Sequence, residues 1–186
     1  MSRQNWSIII LFLSALAIWR FYSTDEQVTT VTSTESQPDF TADILRSVEY
    51  SEQGKIIRRI FADSMAHYGE QGVTVFTNPV IILYDEDAQP TWKIQASEGN
   101  FSDDDTATLR QDVMIKNMTQ SDYVDVITTS YLQVNLTTSL ISSDQLITIS
   151  GDLFKQTGVG LKGNLNQEYM TILKQVKAIY NNDKKI

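Results

Sequence analysis

The side chains of this chain that could do chemistry are few, and their spacing does not assemble a reaction. His67 is the only histidine among 186 residues, and there is no cysteine. A Ser-His-Asp set would need His67 as its base, and no serine lies in a nucleophile-elbow pattern. His67 therefore reads as a surface residue at a strand end. Disulfides, thiol catalysis and thiolate zinc sites are excluded, so a metal would need a carboxylate-rich site. Lack of cysteine leaves the compartment open. Two acidic triplets, Asp85-Glu86-Asp87 and Asp103-Asp104-Asp105, lack the spaced ligands of a calcium loop and fall where hairpin turns are expected, so they read as solvated turns. No glycine-rich loop cradles a phosphate, and nothing singles out a glycosidase carboxylate pair. The formal charge of -8 argues against nucleic acid and against broad adhesion to anionic membranes. These residues point away from an enzyme and call for no metal or cofactor.

The elements that would position a binding surface are strands. The stretch Val73 to Ala96 reads as two β-strands folded back by an acidic, proline-closed turn, Asp85 to Pro90. In the return strand Trp92, Ile94 and Ala96 alternate with polar residues, which makes one face apolar. Val80 to Tyr84 is apolar on both faces, so one side should meet a core and the other a second apolar surface or a ligand. Ile44 to Tyr50 and Ile56 to Met65 read as a hairpin around Ser51 to Gly54, with Gly54 free to take a positive φ. Arg46, Lys55, Arg58 and Arg59 concentrate there, either as gatekeepers of an edge strand or as a basic lip for an anionic head group.

Further strands follow at Leu109 to Ile115, Asp122 to Thr129, Leu132 to Leu136, Leu140 to Ile149 and Gly158 to Leu165, with Asn100 to Asp105 as a polar turn. Three phrases align loosely: Thr108 to Val113, Thr148 to Leu153 and Thr171 to Val176. Their spacing favours a stack of similar β-units. Gly151, Gly158, Gly160 and Gly163 imply a sharp bend or bulged edge. The last segment is ambiguous: Ile172, Leu173, Val176, Ile179 and Tyr180 fit a helical stripe, whereas Met170, Ile172, Val176, Ala178 and Tyr180 share one parity of a strand.

Ser7 to Tyr22 is the one stretch apolar enough to leave water. As a helix of ~16 residues it would cover ~24 Å, short of the ~30 Å hydrocarbon core, with Trp6, Trp19, Phe21 and Tyr22 as interface anchors and Arg20 snorkelling outward. Arg3 ahead of it and an acidic chain behind it put the amino terminus in the cytoplasm. The competing reading is a cleaved signal peptide, on the small-x-small pattern Ala15-Leu16-Ala17. Ser23 to Thr41 reads as a flexible tether, and the remaining length allows one domain.

The apolar amino-terminal stretch, Phe76-Thr77-Asn78-Pro79-Val80, Pro90-Thr91-Trp92 with Ala96, and Ser150-Gly151-Asp152 leading to Gly158-x-Gly160-Leu161-x-x-Gly163-Asn164-Leu165 together resemble the LptC family. These are inner-membrane components of the lipopolysaccharide export bridge in Gram-negative bacteria, and the resemblance spans nearly the whole chain. It implies a mostly β fold, a twisted-boat (OstA-like) β-jellyroll of antiparallel strands over residues 42–186. Ahead of it come a cytoplasmic end at 1–6, one N-terminal transmembrane helix at 7–22 and a periplasmic linker at 23–41. It also tips Met170 to Tyr180 toward strand.

The resemblance further implies that lipopolysaccharide leaves the LptB-LptF-LptG transporter at the N-terminal edge, passes inside this domain and is handed to LptA at the C-terminal edge. By parity, Ile60, Phe76, Val80, Ile82, Trp92, Ile94, Leu109, Val113, Leu132 and Val134 are expected in the groove, with Met170 and Tyr180 at its exit. The other reading of the same residues is a sealed sandwich core. Arg46, Arg58, Arg59, Gly151, Ile172 and Val176 are the expected partner contacts, with Gly151 holding a bend near the exit. Two other classes remain: a scaffold that never touches lipid, and an anchored glycan-binding or glycan-cleaving module.

Overall fold

A computed structural model describes residues 37–119 and 124–180. The expected transmembrane helix, and the choice between anchor and signal peptide, lie outside them. Among the described residues period-two patterning is realised as eleven strands: β1 (Phe40–Tyr50), β2 (Ile56–Tyr68), β3 (Val73–Thr77), β4 (Val80–Tyr84), β5 (Pro90–Gln95), β6 (Glu98–Ser102), β7 (Thr106–Asn117), β8 (Val126–Asn135), β9 (Leu140–Ser150), β10 (Phe154–Asn164) and β11 (Tyr169–Tyr180). Every pairing is antiparallel. Met170 to Tyr180 is strand, because Thr171, Ile172 and Val176 suit a ladder and β10 offers one.

The pairing folds the sheet into two layers. The first half of β2 pairs with β4 and its second half with β3. The first half of β7 pairs with β6 and its second half with β5. Two routes thus lead from β2 to β7, one through β3 and β6, the other through β4 and β5. A crease separates them and runs on through the long strands. It is marked by positive φ at Ile44 (60°), Asn78 (49°), Gln111 (60°), Asp112 (50°), Gly160 (80°) and Gln175 (53°). Register shifts in β7 with β8 and in β9, β10 and β11 fall at the same level. Such bulges bend a strand and increase its twist, which lets one long strand serve both layers.

The structure departs from several sequence expectations, some of them at this crease. Val73 to Tyr84 is two strands, since Asn78 turns at positive φ and Pro79 cannot extend a ladder. Asn100 to Ser102 belongs to β6, leaving only Asp103 to Asp105 as turn. The two strands expected at 122–136 are one strand, β8, with a register break between Thr128 and Gln133. The first strand begins at Phe40, ahead of the expected start at Ile44. Of the three aligned phrases, two share a physical role: Asp112 and Gln175, each fifth in its phrase, both take positive φ at the crease.

The layers meet along rows of paired residues. In one layer Ile60, Ile81, Ile94, Ile115, Ile127 and Ile149 are successive cross-strand partners. In the other, Phe101, Ala107, Val134, Ile141, Gly163 and Met170 form the matching row. Ile81, Ile94, Leu109, Ile115, Ile127, Leu132, Ile147 and Leu161 are wholly buried, each worth about 1.5–3 kcal/mol over leaving it in water. Trp92 ties the far rims together, its Nε1 donating at 3.0 Å to the carbonyl of Leu165 in the β10–β11 turn.

Candidate functional site

The apolar space between the layers and the two strands that close the sheet are the features that position function. Among the described residues β1 pairs only with β2 and β11 only with β10, so each leaves one side of its ladder unpaired there. Such edges template another strand. Large apolar side chains stand exposed along both: Phe40, Ile44, Val48 and Tyr50 on β1, and Leu173, Val176, Ile179 and Tyr180 on β11.

Of the expected groove residues, Phe76, Trp92, Ile94, Leu109, Val113, Leu132 and Val134 face inward and are buried, and Ile60 faces inward half-buried. Phe76 rests on Phe101, ring centroids 4.4 Å apart. Val80 and Ile82 do not join them. Ile82 pairs with Arg59 and Lys93 on the outer face, while Ile81 and Leu83 take the inner positions. Five consecutive apolar residues carry no alternation from which a face could be read, so parity failed there. The outer apolar face of β4 is covered by basic stems, with the Arg59 guanidinium 5.6 Å from the Tyr84 ring centroid. At the C-terminal edge Met170 is half-buried against the core. Tyr180 is 70% exposed, its ring 6.5 Å from that of Phe154.

The expected partner contacts separate. Arg46 is exposed, and Arg59 points outward. Arg58 is inward and 8% exposed, ion-paired with Glu49 of β1. Alternation along β2 thus splits the basic lip, one arginine to each face. Gly151 sits in the turn from β9 to β10, its N–H donating to Phe154 O at 3.0 Å. Ile172 packs against the core, and Val176 is exposed. The bend expected of the late glycines belongs to Gly160. At Gly158 and Gly163 the neighbouring strand approaches instead: a Cβ on Gly158 would collide with Ile172 and come within 2.7 Å of Lys174 O.

His67 lies at the end of β2, as expected, but is only partly exposed. It is half-buried on the inward side, stacked on Phe40 at 4.8 Å, with Nδ1 2.9 Å from Thr74 Oγ1. The acidic triplets are turns, as read. Asp85 Oδ1 accepts from the backbone of Asp87 and Gln89 at 2.9 and 2.8 Å. Hydrogen bonds from Ser102 and Thr106 hold the Asp104 carboxyl below its ordinary pKa. Sequence reasoning missed Ile81, Leu83, Ile115, Ile127, Ile147 and Leu161. The alternation Ile147, Ile149 against Leu146 and Thr148 was the available signal for β9.

A creased antiparallel sheet that encloses an apolar interior, with one side of each end strand unpaired among the described residues, is a β-jellyroll. The family model described as "LptC: Lipopolysaccharide-assembly, LptC-related" matches residues 7–181, and the chain belongs to that family. It is 26% identical over 178 residues to the lipopolysaccharide export system protein LptC of Escherichia coli (strain K12), covering 95% of this chain and 93% of that one. The protein of the same name from Haemophilus influenzae is 26% identical over 196 residues, covering 95% and 94%. In fold, the chain is similar to LptH, the LptA homologous periplasmic component of the lipopolysaccharide transport device of Pseudomonas aeruginosa. That match has a TM-score of 0.51 and 13% identity, over 66% of this chain and 93% of the other.

Proposed function

We propose that this protein is a non-enzymatic lipopolysaccharide transport factor. It receives lipopolysaccharide from an inner-membrane LptB-LptF-LptG transporter at the β1 edge, keeps the acyl chains against its inner face, and passes them to LptA at the β11 edge. Residues 7–22 hold it in the inner membrane by a single pass, with the amino terminus cytoplasmic and the β-domain in the periplasm. The observation that carries this reading is the inner apolar surface running from β4 to β11, with Ala62 of β2 and Phe76 of β3 also buried, in a sheet whose end strands β1 and β11 each keep one side unpaired among the described residues. Each CH₂ kept from water is worth about 0.8 kcal/mol, so a lipid with several chains needs a sheltered path. Free ladders allow the path to continue into the next domain by strand addition. The half-buried inward residues Ile60 and Met65 near β1, and Met170 and Ile172 on β11, are where chains would bind without opening the centre.

A photo-crosslinker at position 76 in the full chain in membranes should capture lipopolysaccharide during active export. Capture of none, with the protein folded and export running, overturns the conduit. A second reading is favoured by one observation: Ile81, Ile94, Leu109 and Leu132 are fully buried, as in a sealed sandwich that only tethers its neighbours. That reading expects transporter and LptA to co-purify while no inward position ever crosslinks lipid.

A further inference from the structure

We propose that Arg58 and Glu49 form an exchangeable anion subsite at the rim of the interior, built to hold a phosphate monoester on an amphiphile. The proposal deepens the conduit reading and rests on it. Arg58 lies on the inward face of β2, opposite Leu83 of β4, whose other partner is Trp92. Its side chain is 10% exposed, one terminal nitrogen is paired with Glu49, and its buried Nε, like that of Arg59, has no acceptor among the described residues. The cleft above it, of about 270 Å³, is bounded by Glu49 and Leu83 on one layer and by Leu136, Thr137, Ser139 and Asn166 on the other.

Polar groups thus border the place where the apolar interior comes to the surface. An amphiphile needs that arrangement, tails toward Leu83 and Trp92 and its charged group at the rim. A buried guanidinium with a free donor favours a phosphate, whose several oxygens accept from more than one N–H. Glu49 holds the site closed in the absence of ligand. Its side chain is 46% exposed and sits on the outermost strand, so it can turn to water when a phosphate takes its place. The exchange keeps Arg58 paired throughout and spares the cost of an uncompensated buried charge.

The test uses the full-length chain in detergent micelles with a photo-crosslinking residue at position 60. The probes are lipopolysaccharide and the same lipopolysaccharide stripped of its glucosamine phosphates. One additional charge-assisted hydrogen bond predicts about tenfold stronger capture of the phosphorylated form. Arg58→Gln should erase that preference while capture of the stripped form persists. Glu49→Gln leaves Arg58 in place and should raise the preference, so it decides the matter if Arg58→Gln does not fold. Equal capture of both lipids by the unmodified chain overturns the subsite and leaves the conduit standing, as does a Glu49→Gln preference that fails to rise. Capture of neither lipid overturns the conduit and the subsite together. Inorganic phosphate is the competitor. If it displaces nothing, the site is for the lipid-borne group; if it binds while the two lipids behave alike, the site is for free anions and the proposal falls.

Discussion

The two ends of the sheet differ in how they are held. β1 is fastened at both ends by groups outside the ladder. Asp39 N donates to His67 O at 2.8 Å, Gly69 N donates to Asp39 Oδ2 at 2.6 Å, Phe40 stacks on His67, and Glu49 pairs with Arg58. β11 has its ladder to β10 and the contacts of Met170 and Ile172 with the core, and beyond Leu173 its side chains are exposed. Charge differs too: β1 carries Asp43, Arg46 and Glu49, whereas β11 carries Lys174 and Lys177 in a chain that is acidic overall. An edge held by many groups keeps its shape whether or not a neighbour is present. One held by a single ladder exchanges faster and gains more from a partner strand on its free side.

The largest way to break this contrast is at Gly158. Any side chain there meets Ile172 and the Lys174 carbonyl, so Gly158→Val should cost about 3 kcal/mol or more, the scale of overpacking added to backbone displacement. Amide exchange should accelerate in β11 and leave β1 unchanged; equal acceleration at both edges would mean the two are one cooperative unit. Next comes Asp39→Ala. It leaves the Gly69 N–H without its acceptor, and about 1–2 kcal/mol of local stability at the start of β1 should go with it, read as faster exchange at Phe40 to Asp43 alone.

A subtler probe uses the crease. Ile44 and Gln175 are non-glycine residues at positive φ, one on each edge strand, and such backbone costs roughly 1–2 kcal/mol. Glycine removes that strain at some cost in unfolded-state entropy. Ile44→Gly and Gln175→Gly should each raise stability by about 1 kcal/mol or less, read as a higher melting temperature. The gain should be larger at Ile44, because a β-branched residue fits that region worst and its 72% exposed side chain has little packing to lose. A loss at either site would show that the side chain contributes more than the strain costs.

That crease is also what sequence reading could least see. Turns were legible where residue chemistry dictates them: Gly54 takes φ of 76°, and Asp85 caps its own turn. The alternation in Trp92, Ile94 and Ala96 was legible because polar residues separate them. Ile44, Gln111 and Gln175 carry no such mark, since their left-handed backbone belongs to irregularities within long strands that no local residue chemistry announces. The inner face of β4 was illegible for the opposite reason, because every residue from Val80 to Leu83 is apolar. Arg58 looked like a surface charge on composition, and only its register opposite Leu83 turns it inward. β11 satisfied two periods at once, and the free edge of β10 decided between them.

The smallest expected effect lies away from both edges, in the β6–β7 turn, and serves as their control. Hydrogen bonds from Ser102 and Thr106 favour the ionised form of Asp104, so its pKa is lower folded than unfolded. The unfolded chain therefore binds the proton first as pH falls. Stability from this group is fully present above the ordinary carboxylate pKa and disappears as pH drops through the lowered folded value. Asp104→Asn removes the titration, so the variant should be slightly less stable than the parent at pH 7, and the gap should close in acid. Because the carboxylate is fully exposed and screened by water, exchange in β1 and β11 should not respond. A gap that instead widened in acid would reverse the sign of the linkage and remove the hydrogen bonds from Ser102 and Thr106 as its cause.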